Sequence, residues 1–365
     1  MVSDTSSGQL AYSVHEWCLT PYVLNYFYFV KNKVNDYFEN KSGVVVLTYV
    51  LLLVGFALLI KGADFFVEGA SKIAQALRVS PLLIGLTIIA FGTSSPEATV
   101  SIVSALEGSA GVAIGNVIGS NIFNITLVVG ITALLNPLKV ESETIRKEIP
   151  FTLLASFALL ILISDVSLQG LSGNFITRSD GLILLLFFAI FLYYIFEVAR
   201  HSREKENLEI EEKQVSISWG KYIFFTIGGL AAIILGGDMV VDNATSIALS
   251  FGMSETLVGL TIVAVGTSLP ELITSVTAAV KKQSEIALGN IVGSNIFNIL
   301  LVLGSASVIS PLAVESKIFF DLIIMIFLTG LLLIFSRTKY RIGKVEGIIL
   351  AIFYIAYTIY IILRN

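Results

Sequence analysis

The segment GTSSPE at 92–97 returns as GTSLPE at 266–271, and GNVIGSNIFNI at 115–125 returns as GNIVGSNIFNI at 289–299. Both pairs share one offset, 174 residues (266 − 92 and 289 − 115). Flanking residues keep it: Gly62 with Gly236, Asp64 with Asp238, Pro137 with Pro311 and Glu141 with Glu315. A unit running from roughly 54 to 142 has therefore been used twice without a gap. Any fold for this chain has to place the same polar motifs twice. The best-matched residues of an otherwise apolar repeat are polar, which reads as a duplicated ion site inside a membrane.

The chain is 55% hydrophobic and 14% charged, with a mean hydropathy of +0.87, far from the balance of a soluble protein. Apolar stretches long enough to cross about 30 Å of hydrocarbon recur throughout. They run continuously instead of alternating, which excludes a β-barrel. The expected fold class is an all-α integral membrane protein. Cys18 alone gives no internal disulfide and no thiolate metal site. His15 and His201 lie outside the apolar spans and read as exposed. No signal-peptide pattern opens the chain. The bilayer is the expected partner; no nucleic acid, cofactor or obligatory protein partner is implied.

Ten helices are expected, at 45–75, 80–107, 112–136, 148–166, 179–200, 219–249, 254–280, 286–310, 318–336 and 345–363. The implied domains are an N-terminal extension over 1–43, a first half over 44–201, a linker over 202–218 and a second half over 219–365. The extension has an aromatic run from Tyr22 to Phe29 and reads as interfacial, whereas the linker is strongly charged. Five spans per half is odd, so the second half must cross in the opposite direction: two inverted five-helix repeats. Loops after odd-numbered helices hold more than twice the Lys and Arg of the other loops. By the positive-inside rule the linker is cytoplasmic, both termini are extracellular and the expected location is the plasma membrane. The first and sixth spans each carry two acids four residues apart, Asp64 with Glu68 and Asp238 with Asp242. These acids are expected to cap or pair near a membrane surface, with an ion entry mouth as the alternative.

Pro96 lacks an N–H and Gly92 is flexible, so the second span must kink or break at GTSSPE. The break frees carbonyls between Ala90 and Thr93, which lipid cannot satisfy. Thr93, Ser94 and Glu97 add hydroxyl and carboxylate oxygens at the same point, and Ala264, Thr267, Ser268, Pro270 and Glu271 repeat the arrangement. In the next span Gly115 and Gly119 permit close packing, and Ser120 and Asn124 share one helix face. Gly289, Gly293, Ser294 and Asn298 do the same in the second copy. The combined ligand set is all oxygen and suits hard cations such as Ca²⁺ and Na⁺. Two carboxylates neutralise one Ca²⁺ or are shared by several Na⁺ ions, and mutually exclusive occupancy is the physical basis of exchange.

These motifs resemble the two α-repeats of the sodium/calcium exchanger family, within the cation/calcium antiporter superfamily, as a prokaryotic-type member. The resemblance covers about 45–363. It implies Na⁺-driven Ca²⁺ antiport by alternating access, with one net charge moved per cycle if three Na⁺ exchange for one Ca²⁺. It implies that Glu97 and Glu271 bind Ca²⁺ together with the carbonyls of Thr93 and Thr267. It assigns Na⁺ to the hydroxyls of Ser94, Ser268, Ser120 and Ser294 and the carbonyls of Ala90 and Ala264, with Asn124 and Asn298 completing the site. Position 298 is Asn where K⁺-dependent members and some prokaryotic members carry Asp, which argues against K⁺ co-transport and removes a possible acid from the site. Position 95 is Ser where the family usually has a small or apolar residue.

Other readings are an H⁺/Ca²⁺ antiporter, whose Gly-Asn-Ala-x-Glu version of the motif is missing, and a cation channel, which needs no inverted repeat with two broken helices. An enzyme is not expected: the spans hold no Ser-His or paired-Asp arrangement.

Overall fold

The structure, a computed structural model, describes residues 41–77, 79–142, 144–209, 218–252, 264–338 and 340–364. Most of the expected interfacial extension, much of the linker and the first part of the seventh span lie outside the described residues. All packing reported below is within residues 51–364.

Helix α1 (Lys41–Leu77) is followed by the Ser80 cap, whose hydroxyl accepts the Leu83 amide at 3.4 Å. Helix α2 (Pro81–Thr93) stops at Ser94, and α3 (Ser95–Leu106) leaves it at 47°. Pro96 sits in the first turn of α3, where a missing N–H costs nothing. Helix α4 (Ala110–Leu135) contains a π-helical turn at Asn124–Val128. A π-turn at Thr144–Glu148 leads into α5 (Ile149–Leu162); the short α6 (Asp165–Gln169) and the long α7 (Arg178–Glu209) complete the first half. The second half comprises α8 (Trp219–Ser250), α9 (Ala264–Thr267), α10 (Leu269–Val280), α11 (Ser284–Ile309), α12 (Ser316–Arg337) and α13 (Lys344–Arg364). Helix α11 has its own π-turn at Phe297–Val302.

Seven described helices are long and apolar enough to cross a membrane alone, or eight with the bent pair α2–α3 taken as one. This is an all-helical, multi-pass membrane protein. The count falls short of ten partly because 253–263 is undescribed and α5 has only 14 residues after its π-turn. Helix α7, expected to end at 200, continues to Glu209. Its extra residues are mostly Arg, Glu and Lys, good helix formers that need no apolar partner.

The long helices α1 and α8 meet along glycines at seven-residue steps. A Cβ on Gly62 would lie 2.8 Å from the Gly229 carbonyl oxygen, and one on Gly236 would lie 2.7 Å from the Gly55 carbonyl oxygen. Gly69 presses on Thr226. Partners fall in number as α1 rises, so the two helices are antiparallel, although Gly62 and Gly236 are equivalent in sequence. By contrast α2 and α11 run in the same direction: Gly289 packs on Leu82 and Gly85, and Gly293 on Leu86 and Ala90.

Helices α4 and α11 form the buried centre, with Ile114, Val117, Ile118, Ile122, Ile291 and Ile296 essentially inaccessible. The outer helices present Phe224, Phe327, Tyr193 and Leu363 outward, as a lipid-facing surface requires. Two short antiparallel ribbons join the halves. Leu138–Lys139 (β1) pairs with Arg341–Ile342 (β4), and Phe175–Ile176 (β2) pairs with Leu312–Ala313 (β3).

Candidate cation site

The two breaks face each other, and their side chains cross between copies. Ser94 Oγ donates to Glu271 Oε1 at 3.0 Å, and Ser268 Oγ donates to Glu97 Oε1 at 3.0 Å. Ser120 and Ser294 approach the carboxylate of their own copy, at 3.4 Å from Glu97 Oε1 and 3.3 Å from Glu271 Oε1. Ser268 and Ser120 lie 3.0 Å apart, and Thr93 and Ser294 3.4 Å apart. Both glutamates, Ser94, Ser268, Ser120, Ser294, Asn124 and Asn298 are buried. The carboxylates and serine hydroxyls of both copies thus converge on one place.

The carbonyl of Ala90 accepts the Ser94 amide at 3.0 Å and the Thr93 hydroxyl at 3.4 Å, so the helix itself engages it. Thr267 reaches across to Asn116 Oδ1 at 3.4 Å. Ala264 opens α9, four residues before Ser268 at the second break.

Four buried oxygens of these motifs have no hydrogen-bond partner: Glu97 Oε2, Glu271 Oε2, Asn124 Oδ1 and Asn298 Oδ1. Each orphaned acceptor costs about 1–3 kcal/mol. Two carboxylates and two amides thus carry the same defect, once per copy, and unpartnered hard oxygens are the kind of group a cation could use. The set is hard oxygen throughout, and among the described residues no group of three or more His, Cys, Asp or Glu competes for a softer metal.

The sequence reading passed over a second tier of asparagines. Asn116 Nδ2 donates to the Glu97 carbonyl at 3.2 Å and to Ser101 Oγ at 2.9 Å; Asn290 Nδ2 donates to the Glu271 carbonyl at 3.4 Å and to Ser275 Oγ at 2.9 Å. Asn290 Oδ1 also accepts the Thr93 hydroxyl at 3.0 Å. These clamps fix the first turn after each break. Their signal was present, because both asparagines occupy the same place in the duplicated motif.

A family model described as "Sodium/calcium exchanger protein" matches residues 47–197 and 221–363. The chain belongs to the sodium/calcium exchanger family. It is similar to the sodium/calcium exchanger MaX1 of Methanosarcina acetivorans, with 35% identity over 346 residues, 87% of this chain and 99% of that one. It is also similar to the putative antiporter CaxA of Alkalimonas amylolytica, with 41% identity over 84% of this chain and 96% of that one. The solved sodium-calcium exchanger NCX_Mj, soaked with Na⁺ and Sr²⁺, superposes with a TM-score of 0.73 at 33% identity, covering 86% of this chain and 98% of that one. The chain is therefore an exchanger-type antiporter, of a transporter family rather than a family of enzymes.

Proposed function

We propose that this protein exchanges Na⁺ for Ca²⁺ by alternating access, electrogenically and without K⁺. The observation that carries the reading is the set of four orphaned oxygens on Glu97, Glu271, Asn124 and Asn298. Two carboxylates offer two negative charges, which one Ca²⁺ balances. An uncompensated charge at this depth costs several kcal/mol, so the pair must hold cations or protons. Thr93 and Thr267 assist Ca²⁺ through their carbonyls. Ser94, Ser268, Ser120 and Ser294, with the Ala90 and Ala264 carbonyls, serve Na⁺. Three Na⁺ against two carboxylates leave one net charge, which makes transport voltage-dependent. Asn298, neutral where K⁺-dependent members carry Asp, withholds the extra charge that a K⁺ ion would require.

The architecture for this cycle is ten spans in two inverted halves, 44–201 and 219–365, joined by a cytoplasmic linker at 202–218. The antiparallel course of α1 and α8 supports it. The termini lie outside a plasma membrane, and no obligatory partner protein takes part.

The test is radiolabelled Ca²⁺ uptake in proteoliposomes with Na⁺, K⁺ and H⁺ gradients imposed separately. Uptake should require an outward-directed Na⁺ gradient, respond to voltage and ignore K⁺. Uptake indifferent to Na⁺ but driven by a pH jump would replace Na⁺ with H⁺ as the counter-ion.

A further inference from the structure

An asparagine amide has two ends of nearly equal shape and opposite polarity, an acceptor oxygen and an NH₂ donor. A cation can use only the oxygen. Nothing in the side chain of Asn124 or Asn298 determines which end faces the site, so a neighbour must decide.

Here each amide is held by its nitrogen, and by a residue of the other copy. Asn124 Nδ2 donates to Asn295 Oδ1 at 3.2 Å, and Asn298 Nδ2 donates to Asn121 Oδ1 at 3.1 Å. Asn121 is itself oriented, because its Nδ2 donates to the backbone carbonyl of Asn295 at 3.3 Å. All four side chains are buried, so water cannot replace these bonds. With both nitrogens engaged, the oxygens of Asn124 and Asn298 are left without protein partners.

We infer that Asn121 and Asn295 are positioning residues that lock the Asn298 and Asn124 amides oxygen-first toward the cation. The inference rests on the site reading above. It also makes each copy dependent on the other: the first copy orients an oxygen of the second, and the reverse. A turned amide would point an NH₂ at the ion, which weakens binding at no cost in folded volume.

The test is a pair of double-mutant cycles read by the half-saturating Ca²⁺ concentration. Asn121→Leu removes the acceptor at similar size and should raise that concentration about 10–100-fold, the usual cost of losing a group that orients a metal ligand. Asn298→Asp offers an oxygen whichever way it turns. In the N298D background, N121L should therefore cost less than about 2-fold. Asn295→Leu with Asn124→Asp forms the second, independent cycle, which serves if either Leu variant fails to fold by size-exclusion chromatography. Equal penalties of the Leu change in both backgrounds, or no penalty at all, would overturn the lock. Glu97→Gln is run alongside. Normal flux in that variant sinks the site reading itself, whereas a dead E97Q with additive cycles sinks only the lock.

Discussion

The turn after each broken helix offers a direct comparison between the two copies. Gly108 (φ 77°) and its equivalent Lys282 (φ 60°) occupy the same left-handed position, and the following amides close the same bond, Ser109 N to Ser104 O and Gln283 N to Ala278 O, both at 2.8 Å. The backbone has been copied faithfully; the side chains around it have not. Lys281 binds the Asp64 carboxylate at 2.9 Å and the Asp64 carbonyl at 2.7 Å, and Gln283 donates to Ser71 at 3.0 Å. At the equivalent turn the counterparts are Glu107 and Ser109 of the first copy with Asp238 and Thr245 of the second. Among the described residues no ion pair joins Asp238, and the Thr245 hydroxyl is buried without a partner. Among the described residues these groups tie one end, and their counterparts form no such tie at the other. The difference teaches that a duplicated site need not have duplicated ends: the residues of the candidate site are symmetric, and those at the ends are free to diverge.

The largest expected effect probes the symmetric part. Glu97→Gln and Glu271→Gln should each reduce Ca²⁺ flux more than about 100-fold, since each removes one of two compensating charges, while the proteins still fold. Strongly unequal losses would break the equivalence of the copies at the centre.

Next comes an asymmetric pair between Glu141, which lies outside the spans, and Glu285 in the first turn of α11. Glu141 meets Glu285, whereas its equivalent Glu315 lies against Gly111. Burial first, then the Glu285 carboxylate, and less strongly Glu148, push the Glu141 carboxyl from 4.5 up to about 7, against the pull of Lys139. An acid with a raised folded-state pKa binds its proton more tightly when folded. Its stabilisation is therefore complete below about 4.5 and is lost as pH rises through about 7. Melting temperature measured from pH 4.5 to 8 should fall more steeply for the native protein than for Glu141→Gln. Parallel curves would remove this difference between copies.

A smaller effect sharpens the turn comparison. A non-glycine residue in the left-handed region is strained, so Lys282→Gly should stabilise by about 1 kcal/mol, and Gly108→Ala should cost a similar amount. Thermal melts in detergent check both signs. The smallest effect concerns the tie. Both partners of the Asp64–Lys281 pair are partly exposed, so Lys281→Met should weaken it by only about 0.5 kcal/mol, roughly a 2-fold increase in amide exchange around Asp64. Unchanged exchange would mean that the tied end is no firmer than the free one.

Much of this was legible in the sequence because the repeat is local and periodic. Proline in a helix announces the break, and four-residue spacing puts Ser120 and Asn124 on one face. What stayed hidden were contacts between residues more than 170 positions apart. Spacing could not reveal that Ser94 serves Glu271 and not Glu97, or that Asn121 points at the other copy. The acids of the first long helix show the same limit. Pairing was among the expected roles, and Asp64 is paired: local spacing supplies Lys61 at 3.9 Å, but the shorter pair, with Lys281 at 2.9 Å, joins it to a distant turn that no local pattern connects to it.

The glycine seam between α1 and α8 has a mechanical consequence. Helices normally lock by ridges seated in grooves, so an axial shift must climb over side chains. At Gly62, Gly229 and Gly236 backbone meets backbone, and the teeth are reduced to side chains such as Val240 against Gly55 and Thr226 against Gly69. The contact is closer to a plain bearing than to a gear. A gear would confine the helix pair to a few positions about one turn apart, roughly 5 Å; a bearing lets its position be decided by whatever grips the ends and fills the middle.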